Sequence, residues 1–432
     1  MLGINLKKSN VANYDHFTQT IHLNRAEEPD LVKFAKAVFE PEWDAGLVLV
    51  DGARNVLAPL AHETRHWVDM NCSIRGLKTL EAIFRLMAHP SDSNPAIKRL
   101  KQDITLNHFI ERYEPANGDG LYPWHVGFSI SVPKFHEPIE QISACFFGKN
   151  DPKRDRVLFK SPIYLGSLLE TCAYYQEQRD VMPMFLSDKV PLGARREAEA
   201  QTMRFLRDPT LPEYHAIIHA ISISARQSEG VHGIALAAGL CTLLLNMPHQ
   251  MLRESCQRVE RAMKARRYGN GEVVAAEQMR QMTWICPEAA LIHNAFSELA
   301  KRSRSEPLAY SDDLIFDLVP FWKKRQAEFF ERSHDQFVAA IQAMEGPDYF
   351  RESIPALIEN NRWLMEQQTL TFSINRLPKR PPIIFGDGFV LDGAAEFAGL
   401  IPHYEQADTT DAENMLRIRE RGHDLQQSQA LA

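Results

Sequence analysis

The chain has 432 residues, enough for two to three domains, and 44% of them are hydrophobic while 24% are charged. This composition is that of an ordinary globular protein and argues against wholesale disorder. The formal net charge of −7 gives no electrostatic footprint for nucleic acid, so a nucleic-acid-binding function is not indicated.

Signals for export or membrane insertion are not evident in the sequence. Residues 1–8 lead into Ser, Asn and Asp without the apolar core of a signal peptide. The longest apolar run, 233–245, is shorter than the roughly 20 residues that a membrane-spanning helix needs. The six cysteines include no CxxC pair, which predicts reduced, buried thiols rather than a disulfide framework. We therefore expect a cytoplasmic protein that does not contact a membrane.

The first half of the chain mixes strand and helix signals. Residues 45–50 are an aliphatic, partly β-branched run closed by Asp51 and Gly52, which predicts a buried strand ending in a turn. The next predicted elements are a helix at 53–70, a helix at 77–87, a loop at 114–138 with one strand at 126–132, and a helix at 163–179.

Long helical patterns dominate after about Pro191. The predicted helices are residues 194–206, 213–226, 233–245, 248–267 and 314–344. Residues 375–388 predict a loop with room for one short strand, and the polar tail after about Tyr404 is expected to fray. The sequence thus predicts a mainly α protein with a small N-terminal β element. We expect two domains, a mixed α and β domain at 1–190 and an all-helical domain at 191–432.

One pentapeptide inside the predicted helix 53–70 carries the clearest chemical signal. His62-Glu63-Thr64-Arg65-His66 has the pattern HExxH. Because residues four apart share a helix face, His62 and His66 can direct their imidazoles at one cation. Neutral imidazoles suit Zn²⁺, which in catalytic sites takes three protein ligands and leaves a position open for water. Glu63 lies beside such a metal and could move a proton from the water to a leaving amine.

The motif resembles that of the zincins, the HExxH class of zinc metallopeptidases. The resemblance implies hydrolysis of a peptide bond by a metal-activated water, with Glu63 as the general base. Zincins usually carry uncharged residues at the two x positions, and Arg65 departs from that pattern. It would lie either on an exposed helix flank or against a carboxylate near the site. Since no HxxGxxH extension follows His66, the third ligand must come from elsewhere.

A glutamate on a second helix is another common third ligand, and the helix predicted at 163–179 is similar to the glutamate helix of the gluzincin class. Its Glu170 has apolar neighbours, where a lone carboxylate is costly unless it is paired or bound to metal. Glu177, seven residues later, is a rival ligand, unless both glutamates belong to the exposed stripe of an amphipathic helix. Asp69 could accept a hydrogen bond from a ligand imidazole, the role we favour, or could be the third ligand itself.

A peptidase of this kind also needs a hydrogen-bond donor for its tetrahedral intermediate. The sequence does not choose among five candidates: Tyr164, Tyr174, Tyr175, His125 and His136. The expected partners are a peptide or protein substrate and, because an intracellular endopeptidase must be restrained, a narrow substrate range or a regulatory protein.

Two other classes of protein stay open. Carboxylate-bridged di-iron oxidases place Glu-x-x-His pairs on two helices of a bundle. Such a site would draw on residues 63–66 and 229–232, Glu170, and Glu27 or Glu28. Against it, Gly230 and Gly233 weaken the helix that the second pair needs, and His62 would have no role. The other class is a helical interaction protein with a structural or degenerate metal site, in which the residues after 191 are the functional part.

Overall fold

The computed structural model describes most of the chain between residues 11 and 400. The described residues are 11–39, 46–89, 100, 111–112, 123–131, 141–148, 156–208, 211–227, 230–265, 277, 280–281, 283–284, 286–321 and 323–400. They are mainly helical, with a small β component, which confirms the predicted fold class.

The helices are α1 (Glu28–Phe39), α2 (Gly46–Gly52), α3 (Ala58–Asn71), α4 (Ile74–Ala88), α5 (Leu165–Phe185), α6 (Leu192–Leu206), α7 (Pro212–Ser224), α8 (Gly230–Leu245), α9 (His249–Ala265), α10 (Pro287–Arg302), α11 (Asp312–Leu318), α12 (Lys323–Gln326), α13 (Phe329–Ala343) and α14 (Asp348–Glu366). The helices predicted at 194–206, 213–226, 233–245 and 248–267 match α6 to α9 within three residues at each end. Those predicted at 77–87 and 163–179 correspond to α4 and α5.

The strands form two sheets of four. The first has the order β1 (Asn13–Tyr14), β2 (Ile21–Leu23), β7 (Ile383–Phe385) and β8 (Val390–Leu391). The second is antiparallel and has the order β3 (Glu111–Arg112), β6 (Val157–Pro162), β5 (Gln141–Gly148) and β4 (Trp124–Ser131). In the first sheet β2 and β7 run parallel, with Ile21 opposite Ile383, so the two ends of the described chain share one sheet.

The strand predicted at 45–50 is wrong, because residues from 46 onward form helix α2. This helix continues through a π-helical turn, Ala53–Leu57, into α3, so residues 46–71 make one helical stretch. Helix α1 packs directly on it at Gly52, where an added Cβ would lie 2.1 Å from Phe34 Cδ2. Leu49 and Val50 are buried. Tertiary packing of an apolar helix therefore outweighs the β preference of the run.

The single helix predicted at 314–344 is also wrong. Helix α11 ends at Leu318, and Val319 adopts an extended conformation with φ −101° and ψ 119°. Proline at position 320 explains the break, since it offers no N–H and disfavours the helical conformation of the residue before it. The chain resumes as the short helix α12 and then as α13.

One hydrophobic cluster contains buried residues from both sides of residue 190. Helix α5 packs against α3 on the N-terminal side of that boundary and against α7 and α8 on its C-terminal side. The division into domains at 1–190 and 191–432 stays a prediction, but elements of both predicted domains cover α5.

The described residues also bear on the predictions about membrane-spanning helices and cysteines. Within them, no single helix combines the length and apolar character needed to cross a bilayer. Helices α8 and α9 meet that criterion only as a pair, and they are bent by 115° with respect to each other. The six cysteines all lie among the described residues and form no disulfide with one another, and five of them are buried.

Candidate metal centre

The HExxH motif lies in the middle of α3, where the fold buries it. His62, Glu63, Arg65 and His66 are each at most 9% exposed. The π-helical turn precedes α3 directly and changes the helical phase of the residues before the motif relative to those within it. The opposite wall is α5, whose buried face carries Glu170.

The structure brings His62, His66 and Glu170 together. His62 Nε2 lies 3.2 Å from Glu170 Oε2 and 3.1 Å from His66 Nε2. The third side of the triangle, from His66 Nε2 to Glu170 Oε2, measures 3.4 Å. In a tetrahedral zinc site with bonds of about 2.0–2.1 Å, the ligand atoms are separated by roughly 3.3–3.4 Å. Two imidazole nitrogens and one carboxylate oxygen are also a donor set of catalytic zinc sites, so these residues fit a zinc ion.

The pKa shifts of Glu170 and His62 show that each group stabilises the charged form of the other. Burial raises the pKa of the Glu170 carboxyl, but the charge of His66 and the hydrogen bonds to His62 and His66 outweigh it, and the pKa falls to about 2. Burial lowers the pKa of the His62 imidazole, but hydrogen bonds to Glu170 and Glu177 outweigh it, and the pKa lies well above its ordinary value. A cation bound to His62 and Glu170 would replace the proton they share, so binding would release protons.

Glu63 is held beside the triangle by the strand β1. Its Oε2 accepts a hydrogen bond of 2.8 Å from the backbone N–H of Tyr14. Tyr14 is itself fixed, because its hydroxyl contacts Gln19 and accepts a hydrogen bond of 2.9 Å from Asn71. Burial raises the pKa of the Glu63 carboxyl, against the lowering effect of the charges on the neighbouring histidines. A fixed carboxylate of raised pKa is suited to accept a proton.

Asp69 does not take its predicted place beside a ligand histidine. Its Oδ2 accepts a hydrogen bond of 2.9 Å from Arg65 Nε, and no hydrogen bond joins Asp69 to His62 or His66 within the described residues. Arg65 also donates to Thr242 Oγ1 on α8 at 2.8 Å. Of the two positions predicted for Arg65, contact with a carboxylate is the one observed. The i, i+4 spacing explains this contact, because Arg65 lies one helical turn before Asp69 and its buried positive charge is neutralised by the carboxylate.

Two residues contact His62 in ways that the sequence does not indicate. Glu177, predicted as a rival ligand, places its Oε2 3.4 Å from His62 Nδ1, the nitrogen outside the triangle. Tyr214 on α7 belongs to no motif in the sequence, and its ring centroid lies 6.1 Å from that of His62. Sequence periodicity gives no signal for a contact between helices so far apart in the chain.

The five residues predicted as donors for the intermediate have other surroundings. Tyr164 caps the N-terminus of α5, and the ring of Tyr174 stacks on Phe205. His125 lies on β4, paired with Phe147. Tyr175 is half-buried on α5, and His136 lies outside the described residues.

Among the described residues, no further carboxylate required for a di-iron site joins the triangle. Within the described residues, His62, His66 and Glu170 are the one group of three whose ligand atoms come within 4.8 Å of one another. Glu27 and Glu28 are exposed at the start of α1, and Glu229 lies outside the described residues. His62, which has no role in the di-iron arrangement, belongs to the triangle.

The chain matches no protein-family model, no curated protein and no solved structure. The resemblance to gluzincins therefore stays a prediction, and the geometry of the site is what bears on function.

Proposed function

We propose that this protein is a zinc-dependent hydrolase of peptide bonds. The observation that carries the proposal is the triangle of His62 Nε2, His66 Nε2 and Glu170 Oε2, with Glu63 next to it in the same helix. These three residues would hold the ion. When bound in such a site, zinc polarises a carbonyl and lowers the pKa of a water in the open position.

The protein's own groups suggest how the substrate is handled. The side chain of His62 is 11% exposed, against 0% for His66 and 2% for Glu170, so substrate would approach from the His62 side. Glu63 would accept a proton from the attacking water and pass it to the leaving amine, while the Tyr14 N–H fixes its carboxylate. Tyr214 faces His62 on the approach side, and its hydroxyl is our choice for stabilising the oxyanion of the intermediate.

We also propose that the protein acts in the cytoplasm on a peptide or protein. Six cysteines with no disulfide among them suit a reducing compartment. The near-complete burial of His66 and Glu170 supports a narrow substrate range, because only a restricted edge of the site faces solvent.

Metal content is the first test of this proposal. Elemental mass spectrometry of the purified full-length protein should find about one zinc per chain. Glu63→Gln should keep the metal and Glu170→Ala should lose most of it, because Glu170 would be a ligand of the proposed zinc and Glu63 would not. The matched control is Glu81→Gln, an exposed glutamate on α4, which should keep the wild-type zinc content. Two irons per chain, lost in Glu63→Gln, would support the di-iron class instead.

Peptide cleavage is the second test. A mixture of cellular peptides is incubated with zinc-loaded wild type or with zinc-loaded Glu63→Gln, and new N-termini are identified by mass spectrometry. We expect a limited set of cleavages in the wild-type sample alone. Stoichiometric zinc in both proteins with no cleavage by either would favour an interaction protein with a structural metal.

A further inference from the structure

We infer that Glu177 is a positioning residue that orients His62 for metal binding. The inference rests on the proposed zinc site and assigns to Glu177 the role that the sequence assigned to Asp69. Helix α5 reaches both nitrogens of the His62 imidazole ring. Glu170 lies at Nε2, at 3.2 Å, and Glu177 lies at Nδ1, at 3.4 Å.

Helix geometry explains how Glu170 and Glu177 both reach the His62 ring. Residues seven apart lie two turns apart on the same face of a helix, so Glu170 and Glu177 point in the same direction from α5. The His62 side chain extends from α3 into the space between them. One helix thus supplies both a ligand and a carboxylate that supports another ligand.

The contact with Glu177 also fixes which nitrogen carries a hydrogen. A carboxylate only accepts hydrogen bonds, so Nδ1 of His62 must donate its N–H to Glu177. The neutral ring then presents the lone pair of Nε2 to the triangle, which is the form that binds a metal. Because the two ring nitrogens point away from each other, Glu177 does not share a cation with Glu170. This geometry excludes Glu177 as the rival third ligand.

The two ligand histidines differ in how much support they need. His66 is 0% exposed, so packing and the contacts of its Nε2 within the triangle hold its ring, although its Nδ1 has no hydrogen-bond partner among the described residues. His62 is the ligand that faces solvent and has the greater freedom to rotate. Glu177, whose side chain is 27% exposed, lies on that open side. Its contact therefore restrains the one ligand that the core leaves partly unrestrained.

The test measures zinc affinity by competition with a chromogenic chelator, with zinc alone as the probe and the full-length protein. Removing a carboxylate that supports a ligand histidine typically weakens metal binding by 10- to 100-fold. We expect Glu177→Ala to weaken binding by roughly that factor. Glu177→Gln should weaken zinc binding less than Glu177→Ala, because its amide oxygen still accepts the hydrogen bond. Some loss of affinity should remain, since the amide carries no charge. The control Glu199→Ala removes the same charge from an exposed position on α6 and should bind zinc like wild type.

Thermal unfolding of the metal-free variants separates positioning from folding. A merely structural role would lower the unfolding temperature of the metal-free protein and leave the affinity of the folded fraction unchanged. Wild-type affinity in both Glu177→Ala and Glu177→Gln would overturn the inference and leave the zinc site standing. Failure of wild type itself to bind zinc would instead overturn the proposed function, and the inference with it.

Discussion

At the scale of single residues, the helix that carries the candidate metal centre also contains a buried charged pair. The side chains of Arg65 and Asp69 are 0% and 1% exposed, and the Arg65 guanidinium also lies 4.5 Å from the centre of the Phe372 ring. Burial raises the pKa of the Asp69 carboxyl, although the charge of Arg65 opposes the shift. A buried pair gives little net stability compared with apolar side chains, but loss of one partner leaves a charge uncompensated.

We therefore expect Asp69→Ala to lower the free energy of unfolding by about 3–5 kcal/mol. Urea denaturation at neutral pH measures this change. The matched control is Glu81→Ala, which removes the partner of Arg85 in an exposed i, i+4 pair on α4 and should cost at most about 0.5 kcal/mol. Equal losses of unfolding free energy in the two variants would mean that burial does not make the Arg65–Asp69 pair more costly to break than an exposed pair.

The same Asp69 variant also tests whether Asp69 supports a histidine of the candidate metal centre. Since its carboxylate contacts Arg65 rather than a ligand histidine, the folded fraction of Asp69→Ala should bind zinc with an affinity close to that of wild type. A loss of 10-fold or more, measured by chelator competition, would restore Asp69 to the support of a ligand.

At the scale of elements, the position of the motif depends on how the helical stretch 46–71 packs. Gly52 allows α1 to approach it, because Phe34 occupies the space that a side chain at 52 would fill. The clash would involve Cγ and Cβ of Phe34 as well as the outer ring, at 2.5 and 2.8 Å, so a rotation of the ring alone does not relieve it. The α1 contact therefore fixes the N-terminal end of the stretch that carries His62 and His66.

Gly52→Ala should destabilise the protein by about 1–3 kcal/mol, the usual cost of overpacking a well-filled contact. Chemical denaturation of the metal-free protein measures this cost. Gly193→Ala is the matched control, because Gly193 is also helical but has open space where its Cβ would be. That variant should be neutral or more stable by up to about 1 kcal/mol, from helix propensity alone. Stabilisation by Gly52→Ala would contradict the close packing of α1.

Local sequence signals predicted the helices that carry His62, His66 and Glu170 but not the contacts around these residues. The spacing of His62 and His66 and the apolar neighbours of Glu170 are properties of short segments, and the structure brings these side chains together. The failure at 45–50 has a different origin, because an apolar run of that length is compatible with strand or helix until its neighbours are known. The contacts of Glu177 and Tyr214 with His62 carry no sequence signal, because they depend on where α5 and α7 lie relative to α3.

At the scale of the whole molecule, α7 connects the candidate site to the antiparallel sheet. Tyr214 faces His62, while the next residue, His215, packs its ring against Trp124 of β4 at 5.8 Å between centroids. His215 Nε2 donates to the carbonyl of Asp208 at 2.6 Å, and His219 Nε2 donates to that of Leu206, also at 2.6 Å. Both histidines are 0% exposed, so any charge on them would be placed inside the contact that joins the sheet to the helices.

Acid should therefore weaken this contact. Burial lowers the pKa of His215 to about 4, although its contacts with Asp208 oppose the shift, and burial also lowers the pKa of His219 well below its ordinary value. In the unfolded chain a histidine titrates near 6.5. Between pH 6.5 and pH 4 the unfolded state binds more protons than the folded state, so the free energy of unfolding falls as pH falls through that window. The contribution of His215 alone amounts to about 3 kcal/mol.

The variant His215→Phe isolates this contribution. Urea denaturation of wild type and variant is followed from pH 7.5 to pH 4, with a chelator present so that metal binding adds no proton linkage of its own. The difference at pH 7.5 measures the lost hydrogen bond and the altered packing, because the histidine is neutral in both states there. As the pH falls, the free energy of unfolding of the variant should rise relative to that of wild type, by about 3 kcal/mol near pH 4. Parallel curves over the whole range would mean that His215 stays neutral in the unfolded chain or is already charged in the folded one, and neither fits a buried imidazole stacked on Trp124.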